Sequence, residues 1–159
     1  MPSINCHRSE EMTIPSDLKW MPKVVTKVER VVQEVGFDEE AGDFLAIAAT
    51  EAVNNAILHG NKEDARKKVR IRFERGADRL TIYVSDKGGG FDPEATEDPT
   101  DPRNLSKRSG RGLFILKALM DEVEISCTSK GTTIKMTKYK RAEHRSQGGH
   151  ICLSRSFHK

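Results

Sequence analysis

The sequence predicts an α+β two-layer sandwich in which helices cover one face of a β-sheet. Two observations support this prediction: the element order β-α-α-β-β-loop-α-β-β, and an apolar period that changes from two residues in the strands to between three and four in the helices. The chain has 159 residues, of which 36% are hydrophobic and 32% are charged. This size and composition are typical of one globular domain with its own core.

The first predicted elements are a short strand and a helix. Residues 11–15 (EMTIP) are expected to form an edge strand, because their final proline is tolerated at a strand end. A stripe of apolar side chains, mostly valines, predicts a helix over roughly 17–35. Ser16 or Asp17 is its candidate N-cap, and Gly36 is its C-terminal stop.

A second helix is predicted from about Glu39 to His59, and it ends at Gly60 and Asn61. Apolar residues surround most of its circumference, so it should be largely buried. Four polar residues interrupt this pattern and need an explanation: Thr50, Glu51, Asn54 and Asn55.

The second half of the chain contains strands, a long loop and a third helix. Four segments alternate apolar and polar residues as strands do: 68–75, 79–85, 122–128 and 132–138. Residues 86–109 include three glycines and three prolines and fit no regular element. A loop of this length is usually functional or disordered. A helix is predicted from Gly110 to Met120.

The charge of the chain is unevenly distributed. The formal net charge is +3, but between Lys138 and Lys159 six cations accompany a single anion. The rest of the chain is therefore almost neutral, and the basic pI is no argument for nucleic-acid binding. Residues 139–159 are expected to form a basic, flexible tail. The alternative is electrostatic docking of this tail to an acidic partner.

The sequence also argues against several other classes of protein. It contains no apolar run near the ~20 residues that span a bilayer, and its N-terminus lacks the apolar stretch of a secretory signal. The three cysteines, Cys6, Cys127 and Cys152, are far apart and predict neither a disulfide framework nor a zinc site. A cytoplasmic protein without membrane or direct nucleic-acid contact is expected.

Glu51 and Asn55 lie four residues apart, so both project from one face of the second helix. A buried carboxylate is costly unless it is paired. Beside a pocket, this carboxylate could polarise a hydroxyl group or a water molecule, while the amide oxygen binds a hard cation. The alternative is a pair of ordinary polar residues on the helix surface.

Two glycine-rich strings flank the long loop. Asp86 and the glycines at 88–90 follow a predicted strand, so the backbone there can approach a ligand closely and Asp86 supplies an acceptor. The string SGRG at 109–112 opens the third helix, whose free N–H groups favour a phosphate, and Arg108 could clamp that phosphate. Taken singly, each string is also consistent with an ordinary loop or helix cap, and the first has neither Walker nor Rossmann spacing.

Four strings taken together are more specific: EAVNNAILHGN, DKGGGFDP, SGRGLFI and GTT. In this order they resemble the N, G1, G2 and G3 boxes of the GHKL ATPase superfamily. The similarity covers about residues 13–137 and is greatest to the anti-sigma-factor serine kinases of the RsbW and SpoIIAB type. It implies a Bergerat ATP-binding fold, with a mixed, mostly antiparallel sheet covered on one face by three helices. The implied domain spans 13–138, between an N-terminal segment (1–12) and the tail.

The resemblance implies catalytic roles for Glu51 and Arg108. Glu51 matches the general base that accepts the proton of the substrate serine, and Arg108 matches a lid arginine near the terminal phosphate. Asn55 matches the residue that binds the Mg²⁺ ion bridging the phosphates of ATP. Residues 92–109 would form the lid that closes over the nucleotide.

The same resemblance implies the positions that bind ATP or ADP. Asp86 matches the acid that accepts a hydrogen bond from the adenine amino group, with Gly88 and Gly90 shaping the base pocket. The remaining matched positions are glycines that line the phosphates and threonines of the last box, near adenine: Gly110, Gly112, Thr132 and Thr133.

The function implied by the resemblance is that of an ATP-dependent serine-protein kinase and anti-sigma factor. Such a protein phosphorylates an anti-anti-sigma (STAS) partner, sequesters a sigma factor and acts as a homodimer. Two alternatives remain open. One is an ATP-binding regulatory module without phosphotransfer, which would not need Glu51. The other is a stand-alone histidine-kinase-like ATPase domain, which is disfavoured because neither His7 nor His59 suits a phosphoacceptor.

Overall fold

A five-stranded sheet and three helices make up the described part of the chain. The computed structural model describes residues 8–88 and 112–141. The strands are β1 (Arg8–Pro15), β2 (Lys68–Arg75), β3 (Arg79–Ser85), β4 (Glu122–Thr128) and β5 (Gly131–Tyr139). The helices are α1 (Met21–Val35), α2 (Glu39–Asn55) and α3 (Gly112–Leu119).

The strand order across the sheet is β1-β2-β3-β5-β4, and each described pairing is antiparallel. β3 and β4 run in the same direction, but β5 lies between them, so the described strands form no parallel pair. The α+β two-layer fold predicted from the sequence is confirmed. The described sheet is antiparallel rather than mixed because β5 is inserted between β3 and β4.

The first helix begins later than its apolar stripe suggested. Leu18–Trp20 forms a 3-10 turn, and α1 starts directly after it. The reason is Pro22, which has no N–H to donate and is tolerated only in the first turn of an α-helix. Asp17, one of the two candidate caps, accepts a hydrogen bond from a backbone N–H of the 3-10 turn at 3.0 Å. The helix ends as expected at Gly36, whose φ of +88° is left-handed.

The second helix changes its hydrogen-bonding pattern before it ends. It starts after Asp38, whose side chain accepts a hydrogen bond from Ala41 N at 2.8 Å. The sequence predicts a helix to about His59, whereas the α-helical segment stops at Asn55 and a π-helical turn, Ala56–Gly60, follows. Such wider turns are frequent at functional sites.

The outer ends of the sheet extend beyond the predicted strands. β1 begins at Arg8 and pairs with β2 along its whole length, from Arg8 opposite Arg75 to Pro15 opposite Lys68. β5 runs one residue further than predicted at each end. The bounds of β2, β3 and β4 agree with the sequence prediction. The sheet therefore reaches past the limits 13 and 138 that were expected for the domain.

The helices and one face of the sheet enclose an apolar core. The three central strands contribute buried side chains from alternate positions: Val69, Ile71, Phe73, Leu80, Ile82, Val84, Ile134 and Met136. The opposite face of the sheet is polar; there the Arg72 guanidinium lies 4.2 Å from the centre of the Tyr83 ring. The core holds α2 against the sheet and so determines where its polar side chains project. Among the described helices, none combines the length and the apolar character that crossing a membrane requires.

Replacing Ile71 with alanine is expected to lower the free energy of unfolding by about 2–5 kcal/mol, because this strand side chain is fully buried. Ile47 provides a matched control, since its side chain is 47% exposed on α2. The same substitution there should cost about 1 kcal/mol or less, because alanine is also the better helix former. Urea unfolding of both variants measures the difference, and equal losses would contradict this placement of the core.

Candidate functional site

The C-terminal half of α2 presents polar side chains to the start of α3. Glu51 and Asn55 are half-buried there, and Nδ2 of Asn55 is a buried donor without a hydrogen-bond partner among the described residues. A Cβ atom added to Gly112 would lie 3.0 Å from Glu51 Oε2 and 3.2 Å from Asn55 Nδ2. Thr50, by contrast, donates to Ala46 O at 2.8 Å within its own helix. Three residues assigned from two separate sequence strings thus meet at one point.

Asp86 follows β3 directly, and its carboxylate is held by backbone donors. Oδ1 accepts hydrogen bonds from the N–H groups of Gly88 at 3.0 Å and Thr132 at 3.2 Å. The Asp86 N–H donates to Thr132 O at 2.9 Å, so its main chain is also fixed to β5. Oδ2 accepts no hydrogen bond from the described residues. Within the described part of the chain, this oxygen therefore keeps its capacity to accept a hydrogen bond from a ligand.

Three glycines surround Asp86 so closely that a side chain at any of them would collide with the backbone or the carboxylate. A Cβ atom would lie 2.2 Å from Asp86 Oδ2 at Gly60, 2.0 Å from Gly60 O at Gly88, and 2.1 Å from Asp86 O at Gly131. Gly131 also has a φ of +142°, which L side chains rarely adopt. The ends of α2 and β3 and the start of β5 therefore approach each other at a distance that only glycine permits.

Sequence motifs predict Gly88 as a site residue but not Gly60 or Gly131. From local pattern alone, Gly60 is expected only to end a helix and Gly131 only to form part of a turn. The available signal was their position, since Gly60 is the penultimate residue of the string that begins at Glu51 and Gly131 immediately precedes the two assigned threonines. Their contact with Asp86 depends on the tertiary fold, which no local pattern contains.

Burial raises the pKa of the Asp86 carboxyl group above its ordinary value, while the hydrogen bonds from Gly88 and Thr132 and the charge of Lys67 oppose that shift. Ionisation of Asp86 therefore opposes folding. This penalty is absent below the ordinary pKa of aspartate, about 3.9, and develops as the pH rises through the raised value. A carboxylate kept at a cost in stability is typical of a functional site.

The two threonines of the GTT string face opposite sides of the sheet. Thr132 lies on the same face of β5 as the buried Ile134, and its hydroxyl group is 3.8 Å from Cys127 Sγ. The Thr133 hydroxyl lies 2.9 Å from Ser85 Oγ on the opposite, polar face. Only Thr132, whose N–H also contacts Asp86, is positioned beside the carboxylate.

Several predicted site residues lie outside the part of the chain that the structure describes. These are Gly90, Arg108 and Gly110, together with the predicted lid at 92–109 and the tail beyond Arg141.

The residues around Asn55 fit a magnesium ion that is shared with a polyphosphate. Within residues 8–88 and 112–141, no group of three His, Cys, Asp or Glu side chains could hold a metal ion by itself. Asn55 offers one amide oxygen, and Mg²⁺ commonly takes few protein ligands, with the others from phosphates and water. The adjacent start of α3 favours an anion. Asn55 Nδ2, which has no hydrogen-bond partner within residues 8–88 and 112–141, also fits a polar ligand at this point.

Asp86→Asn is expected to raise the melting temperature of the nucleotide-free chain at pH 7. The amide oxygen can still accept from Gly88 and Thr132, whereas the buried charge is removed. The gain should shrink as the pH falls towards about 4, where the wild-type carboxyl group becomes protonated. Asp78→Asn, on an exposed hairpin where Asp78 pairs with Arg79 at 3.2 Å, is the control and should give no gain. Thermal unfolding across this pH range tests both variants, and a gain independent of pH would contradict the argument.

Comparison with known proteins identifies the family. Residues 14–138 match the histidine kinase-like ATPase domain. Serine-protein kinase RsbW of Bacillus subtilis (strain 168) is 33% identical over 139 residues, which are 84% of this chain and 86% of that protein. Serine-protein kinase RsbW of Staphylococcus aureus (strain MSSA476) is 33% identical over 152 residues, 91% of this chain and 95% of that protein.

A solved structure agrees with these relatives at the level of the fold. The crystal structure of the RsbU and RsbW domains of Rv1364c from Mycobacterium tuberculosis aligns with a TM-score of 0.63 at 20% identity, over 85% of this chain and 33% of that one. The identities above 30% to whole RsbW proteins, together with a domain match over most of the chain, establish the relationship. The chain belongs to the histidine kinase-like ATPase family and, within it, to the serine-protein kinases of the RsbW type.

Proposed function

We propose that this chain is an ATP-dependent serine-protein kinase and anti-sigma factor, which phosphorylates an anti-anti-sigma (STAS) partner and sequesters a sigma factor. The observation that carries the proposal is the convergence of Glu51, Asn55 and Gly112 at one end of a helical segment whose other end, Gly60, contacts Asp86. Glu51 and Gly60, which contacts Asp86, are nine residues apart on a continuous helical segment, roughly 14 Å at the α-helical rise. This separation suits an extended nucleoside triphosphate, with its base at Asp86.

At the base end of the cleft, Asp86 is the proposed acceptor for the adenine amino group. Backbone N–H groups hold Oδ1, and Oδ2 is left for the ligand. A fixed acceptor that would otherwise stay unpaired discriminates strongly against a base without the matching donor. Thr132 lies beside this acceptor, and Gly88 shapes the backbone around it. Gly90 and Thr133 also match the family pattern in sequence, although the Thr133 hydroxyl faces the other side of the sheet.

At the phosphate end, Glu51 is the proposed general base. It accepts the proton of the substrate serine hydroxyl as that oxygen bonds to the terminal phosphorus, the bond to the bridging oxygen breaks and ADP leaves. Gly112, without a side chain, leaves room for the phosphates beside Glu51 and Asn55. Asn55 would hold Mg²⁺, which when bound neutralises charge on the phosphates. Arg108 and Gly110 are proposed to contact the same phosphates, because they match positions with that role in the family motif.

The partners are proposed from the family. An RsbW-type kinase is expected to act as a homodimer in the cytoplasm, without direct contact to nucleic acid or membrane. The STAS protein would be its phosphoryl acceptor and the sigma factor its sequestered partner. The relatives are named as serine-protein kinases, which supports the choice of serine as the acceptor.

Glu51→Ala is expected to lower phosphoryl transfer by about 10²-fold or more, because it removes the proton acceptor. The affinity for ATP should stay within about threefold, since Glu51 is not needed to bind the nucleotide. Glu39→Ala is the matched control, an exposed glutamate in the first turn of the same helix. Proteins retained by the immobilised chain with and without ADP are identified, incubated with radiolabelled ATP and analysed for phosphoserine.

Transfer to serine by the wild type and the Glu39 variant, with collapse in the Glu51 variant, supports the kinase. Undiminished transfer in the Glu51 variant would rule out Glu51 as the base. ATP binding without any transfer by the wild type would favour a regulatory module, and label on a histidine of the chain itself would favour a histidine-kinase-like ATPase.

Gly60→Ala is expected to weaken ATP binding by about tenfold or more, because its methyl group must displace the Asp86 carboxylate, 2.2 Å away. Gly76→Ala is the control, since the atom nearest to a methyl group there belongs to the flexible Arg79 side chain, at 3.1 Å, and the next contacts are at ordinary distances. Calorimetric titration with a non-hydrolysable ATP analogue measures both affinities. A Gly60 variant with wild-type affinity would show that the base does not bind at Asp86.

A further inference from the structure

We infer that Asn61 is a positioning residue for nucleotide recognition, because it fixes the loop that begins at Asp86 to the end of the helix that carries Asn55. This inference rests on the ATP site proposed above and adds a residue to it. Asn61 directly follows the π-helical turn, and only 1% of its surface is exposed. It does not contact the proposed site itself; it acts through the backbone of the next two residues after Asp86.

The Asn61 side chain makes hydrogen bonds to three separate segments. Nδ2 donates to Ser16 Oγ at 2.7 Å and to Lys68 O at 3.1 Å. Oδ1 accepts from Lys87 N at 2.8 Å. Both N–H groups and the oxygen are therefore used. Ser16 is equally buried and passes the connection on to Lys67 O at 2.7 Å. One amide thus joins the end of the π-helical turn, the residue that follows β1, the start of β2 and the loop after β3.

The bond to Lys87 is the one that concerns the nucleotide. Lys87 lies between Asp86 and Gly88, and the Gly88 N–H donates to Asp86 Oδ1 at 3.0 Å. If the Lys87 N–H loses its partner, the backbone can shift and the Gly88 donor moves with it. Gly60, the neighbour of Asn61, has no side chain, so that Asp86 and Gly88 can come close. Gly60 therefore leaves room for Asp86 and Gly88. The hydrogen bond from the Lys87 N–H to Asn61 Oδ1 fixes the loop in that position.

The backbone at Asn61 is itself rigidly attached to α2. Its N–H donates to Ala56 O at 2.8 Å, which closes the π-helical turn. The next two residues, Lys62 and Glu63, have φ values of +52° and +57°, a left-handed conformation that non-glycine residues rarely adopt. The Glu63 N–H donates to Ile57 O at 2.7 Å and holds this turn in place. Asn61 thus connects the loop at Asp86, the proposed base end, to the π-helical turn that follows Asn55, the proposed phosphate end.

A residue that only stabilised the fold would not affect the choice of nucleotide. Ser16→Ala and Asn61→Ala both break the bond between Ser16 Oγ and Asn61 Nδ2, but only Asn61→Ala also removes the acceptor of the Lys87 N–H. The two variants therefore separate stability from positioning. Loss of a buried hydrogen bond should lower the melting temperature of each by roughly 2–4 °C.

The experiment compares the full-length wild type with these two variants in three measurements. Asn61→Ala is expected to weaken ATP binding about tenfold with little change for GTP, so that the preference for ATP is lost. The KM for ATP should rise accordingly, while kcat at saturating ATP stays within about threefold. The amide of Lys87 should exchange with solvent at least about tenfold faster in the nucleotide-free variant. Ser16→Ala should retain the wild-type preference and exchange rate.

Unchanged Lys87 exchange in Asn61→Ala would overturn the inference, and so would an ATP preference that is equally lost in Ser16→Ala. If the wild type does not bind ATP, the proposed function fails; the exchange data then decide the anchoring separately. Asn61→Asp covers the case in which the alanine variant does not fold. It keeps an acceptor for Lys87 but has no N–H to donate, so Lys87 should remain protected despite lower stability. Loss of that protection would contradict the assigned bond.

Discussion

The contact between the π-helical turn that follows α2 and the end of β3 is the constraint on which the rest of the site depends. At this point Gly60 meets both Asp86 and Gly88 at distances that leave no room for a side chain. Without this close approach, the carboxylate at one end of the cleft and Glu51 at the other would belong to independent elements. With it, a single helical segment sets the distance between the proposed positions of the base and the phosphates of a nucleotide.

The core and the site are stabilised differently. Side chains such as Phe73 and Leu45 are completely buried and stabilise the fold through apolar contact. The site instead retains polar atoms that the described protein leaves unpaired, namely Nδ2 of Asn55 and Oδ2 of Asp86. Burial also raises the pKa of Asp86. These unpaired and charged groups lower the free energy of unfolding of the nucleotide-free chain. Binding of the proposed nucleotide should raise that free energy.

Periodicity was enough to predict most of the fold, because each strand alternates and each helix has a buried stripe. Periodicity did not predict the start of α1, which Pro22 delays. Nor did it predict the change from α-helical to π-helical hydrogen bonding after Asn55. The order of four short strings predicted Glu51 and Asp86 as site residues. Gly131 and the partners of Asn61 were beyond such reasoning, since Gly131 approaches Asp86 only once β5 pairs with β3, and Ser16, Lys68 and Lys87 meet Asn61 only in the tertiary fold.

The π-helical turn limits how this part of the chain can vary in length. An α-helix rotates by about 100° per residue, so deleting one residue from Ala56–Gly60 would turn the faces of Glu51 and Gly60 relative to each other by about that angle. Either the acid would leave the phosphate cleft or the glycine would leave the carboxylate. Insertions and deletions in functional homologues should therefore be absent between these two residues and occur in surface connections such as the hairpin at Gly76.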